Sequence, residues 1–395
     1  MKLPVYARFG FVFAAALLAT HVEAGCSGEL KVVTQHDLDQ VRSCKTYSGN
    51  IVIDNVGVAD LKVNGIELVE GDILVKNNDG LMSFSMPKLQ GVNGHIVFSN
   101  NKILSAIDIK QVYALRGIEV AVHPALNELV FATGLSQAEK ISITDTTITK
   151  FDGIKLNSVK DIEISNNIYL KNLSFGNMTK IGNILVSANS PSMQVDLDQV
   201  ESLHDATFRN VAGISLKNLK KVGGDISFIS NSFESLTLPI ASDIGGTLTL
   251  TENMLLNNLS MPHLNHLGGA LSVNNNNKLN SISAFASLQQ VDGTLDITGG
   301  FDELDFPVLV DVRGGLNIQT SSDQFSCDNV NKLKHGIIKG NAFICKSAVA
   351  QPQSNLHGGK GGGKGGNGNF ESAANTLTYH AGYLTLLGAT LACMI

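Results

Sequence analysis

Between Ile51 and Ile318, two apolar residues separated by one usually polar residue return thirteen times, at intervals of 20–24 residues. The series runs Ile51/Ile53, Ile73/Val75, Ile96/Phe98, Ile118/Val120, Ile141/Ile143, Ile162/Ile164, Ile184/Val186, Ala206/Phe208, Ile226/Phe228, Leu248/Leu250, Leu271/Val273, Leu295/Ile297 and Leu316/Ile318. Alternation with period two is the signature of a strand with one buried face. Each copy is too small to bury its own apolar residues, so copies must stack and share one long core. The expected fold is mainly β: a parallel β-helix or leucine-rich-like solenoid of about 13 turns. Stacked at about 4.8 Å per strand, twelve steps give a rod on the order of 60 Å long, which offers a surface rather than a pocket.

Local chemistry agrees with this period. A Gly commonly precedes the strand, as at Gly49, Gly71, Gly94, Gly117, Gly182, Gly224, Gly246, Gly269, Gly293 and Gly315, where the lack of a Cβ lets the chain enter from a tight corner. Four or five residues past the first apolar position stands an Asn in nine copies: Asn55, Asn77, Asn100, Asn166, Asn189, Asn210, Asn231, Asn253 and Asn275. Asn tolerates left-handed backbone angles, and its amide can satisfy turn peptides, so stacked copies are expected to form one corner ladder. A second, shorter arm follows, readable in Leu81-Met82-Ser83-Phe84-Ser85-Met86-Pro87 and again from Leu256 to Leu267.

The ends differ from the middle. Lys2 and Arg8 precede the apolar run Phe9 to Ala19, and Val22-Glu23-Ala24 supplies a cleavage site, so residues 1–24 read as a secretory signal. Residues 25–350 form the solenoid, and 351–372 a Gly-rich spacer including Gly358-Gly359-Lys360-Gly361. Small residues Ser372-Ala373-Ala374, a polar stretch and an uncharged apolar tail to Ile395 have the layout of a glycosylphosphatidylinositol (GPI) attachment signal, with 373–395 as the removed propeptide. Ser372 is the expected attachment residue and Asn367 the alternative.

Five cysteines fall at 26, 44, 327, 345 and 393, and the last leaves with the tail. Joining Cys26 or Cys44 to Cys327 or Cys345 would tie opposite ends of a rod, which the short reach of a disulfide forbids. The expected pairs are therefore Cys26 with Cys44 and Cys327 with Cys345, each capping an end of the stack. Three sequons, at Asn172, Asn177 and Asn258, are placed outside the strands as N-glycosylation sites. Loss of the signal takes the net charge from −6 to −7, which argues against nucleic acid as a partner.

A Cys-to-Cys cap leading into Gly49-Asn50-Ile51-Val52-Ile53, Gly-x-Ile/Leu-x-Val/Ile strands with Asn corners, a second Cys cap, a Gly-rich spacer and an anchor tail together resemble one family. The chain is similar over most of its length to the fungal GPI-anchored cell-wall organisation proteins. These include sporulation-specific wall proteins and are built on repeats like receptor L domains. The resemblance implies a right-handed solenoid and a location at the extracellular face of the plasma membrane and in the wall. It further implies a role in wall integrity, association with wall glucan or mannoprotein, and no catalytic residue or cofactor. The usual Ser/Thr-rich stretch before the anchor is replaced here by Gly and Lys.

Other chemistry is weaker. The acidic residues Asp302, Glu303 and Asp305, with Asp296 and Asp311, lack an adjoining His or Arg to set unequal proton affinities, so no acid/base pair is expected. His263 and His266 have no third ligand at metal-binding spacing. A lectin pocket would favour aromatic platforms, and the chain has no Trp and only Tyr47, Tyr113 and Tyr169 in its expected mature portion. The expected function is a non-catalytic surface scaffold, the alternative a receptor or adhesin for wall glycans or proteins. The residue between the apolar pair is Val52, Leu74 and Val97 in the first three turns and mostly Ser, Thr, Glu or Asp later. That makes Val52, Leu74 and Val97 the candidate protein-contact patch.

Overall fold

The computed structural model describes residues 25–334 and 336–354; the expected signal, most of the spacer and both candidate anchor residues, Ser372 and Asn367, lie outside them. The thirteen apolar pairs stack in register in one 22-stranded sheet in which every printed pairing is parallel. We number the turns from Ile51–Asp54 (turn 1) to Leu316–Thr320 (turn 13). The first apolar position forms an unbroken column: Ile51 against Ile73, Ile73 against Ile96, and so on to Leu295 against Leu316. These side chains are buried, with Ile51, Ile73, Ile96, Leu248 and Leu316 at 0 % exposure.

The stack extends one rung beyond the repeats at each end. Leu30–Val32 pairs with turn 1 and Phe343–Lys346 with turn 13. Both rungs lie within the cysteine caps, where loop and helix residues break the 22-residue spacing. Cys26 is bonded to Cys44 and Cys327 to Cys345, with α-carbons 5.7 and 6.0 Å apart. Short helices Gln35–Asp39 and Asp328–Lys332 lie inside the two bridged loops. The folded unit reaches Ser354, past the boundary at residue 350 expected from composition, because Gln353 and Ser354 are hydrogen-bonded to the sheet.

The second arm forms short sheets rather than one continuous one: Asp60–Lys62, Ser83–Ser85 and Ala106–Asp108 make the first. Its central residues, such as Leu61, Phe84, Leu173, Val195 and Leu236, point into the shared core. Phe208 and Phe228 stack in adjacent turns at 5.6 Å between centroids.

The Asn corner is two columns, not one. Asn55, Asn77, Asn100, Asn166, Asn210 and Asn275 sit in the left-handed region, with φ of 53–57°. The next residue along is buried and carries the amide ladder: Asn78, Asn101, Asn167, Asn189, Asn231, Asn253 and Asn276. Asn189, Asn231 and Asn253 therefore belong to a different column from the other six anticipated corner residues. In the ladder, Asn276 Oδ1 accepts from the Asn253 N–H (2.9 Å) and Asn253 Nδ2 (3.0 Å), while Asn276 Nδ2 donates to the Leu250 carbonyl (2.8 Å). The same pattern joins Asn231 to Asn253, Asn78 to Asn101 and Asn167 to Asn189. Each amide thus satisfies backbone groups that the corner takes out of the strand ladder.

The glycines before the strands also act differently from expectation. Of that set only Gly49 has a positive φ. At Gly246 an added Cβ would lie 2.6 Å from the Gly224 carbonyl carbon of the preceding turn. The requirement is close approach of turn to turn rather than an unusual dihedral.

Candidate functional site

The outward side of the main sheet carries the candidate surface. Its central column is composed in blocks. Val52, Leu74 and Val97 are adjacent in register and half-buried, forming one apolar strip at the N-terminal end. Glu119, Ser142 and Glu163 follow in register. With Lys140 and Thr144 they line a shallow depression of about 240 Å³. Lys140 Nζ is 3.9 Å from Glu119, and Ser142 Oγ donates to Glu163 at 3.3 Å. Beyond Leu185 the column turns to small polar residues, Thr207, Ser227, Thr249 and Ser272.

At turns 12 and 13 this face is covered by the chain's own C-terminal segment. The Ala348 and Val349 N–H groups donate to Ser322 and Thr320 carbonyls. Asn317 Nδ2 and Gln319 Nε2 both donate to the Gln353 carbonyl at 2.9 Å, and Ser354 Oγ donates to Asp296. Burial pushes the Asp296 carboxyl up, and the hydrogen bonds from Ser354 and Asn317 offset only part of this. Nothing in the sequence motifs had marked this strap; the signal available was the run of amide and carboxylate residues at outward positions of the last two turns.

The acidic residues weighed as an acid/base group are dispersed by the fold. Asp302, Glu303 and Asp305 are exposed on the second arm, where Asp302 accepts from Ser322 Oγ (2.6 Å) and Glu303 from Ser281 Oγ (3.1 Å). Asp296 lies under the strap, and Asp311 pairs with Lys339 (2.6 Å) on the side wall. His266 bridges turns on that wall, its Nδ1 2.7 Å from Asp243 and its Nε2 3.6 Å from Asp292, while His263 is exposed. Burial raises the Asp243 carboxyl, but hydrogen bonds from His266 and Lys221 outweigh it and hold the group below its ordinary value. No cluster of three or more His, Cys, Asp or Glu among the described residues is arranged to hold a metal ion.

Asn172, Asn177 and Asn258 are exposed. Contrary to the expectation that all sequons lie outside strands, Asn172 and Asn258 open the second-arm strands Asn172–Ser174 and Asn258–Ser260. Asn172 is in register with Gln194 and Gly213, and Ser235 with Asn258. Four turns separate the two sequons, about 19 Å along the axis.

One position in the ladder column is anomalous. His123 of turn 4 replaces the buried Asn, with Nδ1 3.2 Å from the Asn101 carbonyl and Nε2 without a hydrogen-bond partner of good geometry among the described residues. Burial holds its imidazole below the ordinary value, offset only in part by the carbonyls of Phe98 and Asn101. The preceding residue, Val122, is in the left-handed region at φ 61°.

A capped solenoid with a long in-register outward face defines a repeat protein whose recognition chemistry lies on a surface. Comparison with known proteins narrows this class. The chain is 33 % identical over 350 residues to cell wall protein ecm33 of Schizosaccharomyces pombe, covering 88 % of this chain and 82 % of that one. It is 31 % identical over 344 residues to a cell surface GPI-anchored protein of Arthroderma benhamiae, covering 87 % and 88 %. Sporulation-specific protein 2 of Saccharomyces cerevisiae is 28 % identical, with 85 % and 66 % covered. The chain belongs to this family of fungal cell-wall and cell-surface proteins. None of these relatives has an enzymatic name. No family model matches the chain, and no solved structure matches it.

Proposed function

We propose that the protein is a non-catalytic, GPI-anchored glycoprotein of the extracellular face of the fungal plasma membrane and wall, where it supports wall organisation. The observation that carries this reading is the extent of the similarity: it spans 88 % of the chain and so takes in the repeats as well as the caps. Residues 1–24 act as the secretory signal, 373–395 as the removed propeptide, and Ser372, or Asn367, receives the anchor. Asn172, Asn177 and Asn258 carry N-glycans on the second arm, away from the main sheet. The strip of Val52, Leu74 and Val97 contacts a wall mannoprotein.

Deletion of the gene should raise sensitivity to wall-binding dyes, and the mature protein should be released by a phosphatidylinositol-specific phospholipase or by glucanase digestion. Mass-spectrometric detection of residues 385–395 in the mature protein would remove the anchor. A variant carrying Leu74→Glu and Val97→Glu should fail to restore the wall; full rescue would remove the contact strip.

A further inference from the structure

Turns 10 and 11 present three uncharged outward columns: Thr247 above Ala270, Thr249 above Ser272 and Thr251 above Asn274. Adjacent turns lie about 4.8 Å apart and alternate residues along a strand about 7 Å apart, so the hydroxyls form a flat, regular grid. Ser227 extends it into turn 9. The hydroxyls of Ser227, Thr249 and Thr251 make no hydrogen bond within the protein among the described residues. The grid is continuous with the strap site. At turns 12 and 13 the same columns, through Asp296, Asn317 and Gln319, already hold an extended polar chain against the sheet, and that chain ends at Ser354 beside turn 12.

We propose that the hydroxyl grid of turns 9–11 is a docking face for an extended, neutral wall polysaccharide, a β-glucan chain. This rests on the wall assignment above and specifies the ligand that the protein meets there. The chemistry selects a polyol over a peptide. The strap's peptide is held by side-chain amides and a carboxylate, groups that fix the separate donor and acceptor of a peptide unit. A hydroxyl both donates and accepts, so a hydroxyl grid matches a polymer whose own hydroxyls do the same. The absence of charge in the three columns of turns 10 and 11 suits a neutral polymer and makes binding insensitive to salt. Each contact is weak, and affinity accumulates by repeated engagement on a particulate polymer. The sequons of the second arm leave this face uncovered.

The test is co-sedimentation of the purified mature protein with particulate β-glucan and with chitin, at low and high salt. Binding of a synthetic peptide of residues 347–354 is measured by fluorescence anisotropy in parallel. Retention on β-glucan, unchanged by salt, is expected. Thr249→Lys should lower it at least about tenfold, whereas Thr237→Lys on the exposed second arm should not. Thr249→Val, which removes the hydroxyl at nearly constant volume, should weaken retention in the same direction and serves if the lysine variant misfolds. No retention on β-glucan, equal losses for the two lysine variants, or binding of the peptide alone would overturn the proposal. A wall defect on deletion without glucan retention would remove the docking face and leave the wall role standing. Retention with a normal wall would do the reverse.

Discussion

The two asparagines of the Asn275-Asn276 doublet should have opposite sensitivities, although they are the same residue one position apart. Asn276 is 4 % exposed and makes three hydrogen bonds: two received at Oδ1 from Asn253 and one given by Nδ2 to the Leu250 carbonyl. Asn276→Ala removes all three, at about 1 kcal/mol net each. It also leaves the buried Asn253 N–H without an acceptor, which costs about 1–3 kcal/mol by itself. Part of that desolvation is already counted in the first sum, so the expected loss is about 3–5 kcal/mol. Asn275 is exposed with φ 56°. Asn275→Gly keeps the backbone accessible and should change stability by less than about 1 kcal/mol. Because a solenoid couples only neighbouring turns, the loss at Asn276 should be local. Hydrogen exchange at the Asn253 amide and its neighbours should accelerate before that of turns 2 and 3, and the denaturant midpoint should fall. Equal effects of the two substitutions, or uniform acceleration along the rod, would refute the assignment of separate columns.

Val122→Asn should stabilise the protein by about 1 kcal/mol in thermal or denaturant unfolding, because a β-branched residue at φ 61° stores strain that Asn does not. His123 has a depressed imidazole pKa in the fold, so unfolding takes up a proton. Its contribution to stability is present above the ordinary imidazole value and lost as pH falls through the folded value; His123→Asn should flatten that acid limb in unfolding measured across pH. Asp296 is shifted the other way, so its contribution is present below the ordinary carboxylate value and lost as pH rises through the folded one. Asp296→Asn should therefore stabilise the strap at neutral pH and change little in acid, read by hydrogen exchange over residues 347–354. Replacing both cysteines of either cap with Ala should cost about 2–5 kcal/mol, and limited proteolysis should open the rung nearest that cap first.

The inward half of the fold was legible because burial imposes a strict period. Every Ile, Leu or Val at the first and third strand positions is constrained by the same neighbours above and below, so the pattern repeats visibly. The corner was half legible. In Asn77-Asn78, Asn100-Asn101 and Asn166-Asn167 the two requirements, a left-handed dihedral and a buried amide, are met by the same residue type, and one was credited with both tasks. The doublets themselves were the signal. At turns 9 and 10 the columns separate, with Ser230 and Glu252 left-handed and Asn231 and Asn253 buried. The end rungs Leu30–Val32 and Phe343–Lys346 were hidden because the capping loops alter the spacing. The strap was hidden because its contacts join residues 34–58 apart, outside any repeat interval.

Recognition and stability use different columns of the same strand. Leu74 faces outward between Ile73 and Val75, which are both 0 % exposed. A charge at Leu74 alters the surface, whereas a charge at either neighbour would be driven into the shared core without a partner. The parallel register preserves this division from turn to turn. Outward residues can therefore change in blocks, apolar at turns 1–3, charged at turns 4–6 and hydroxyl-bearing at turns 9–11, while the inward columns remain Ile, Leu, Val and Phe with little interruption. Binding specificity on such a rod depends on which block a partner meets, and the repeat only fixes the spacing at which it is met.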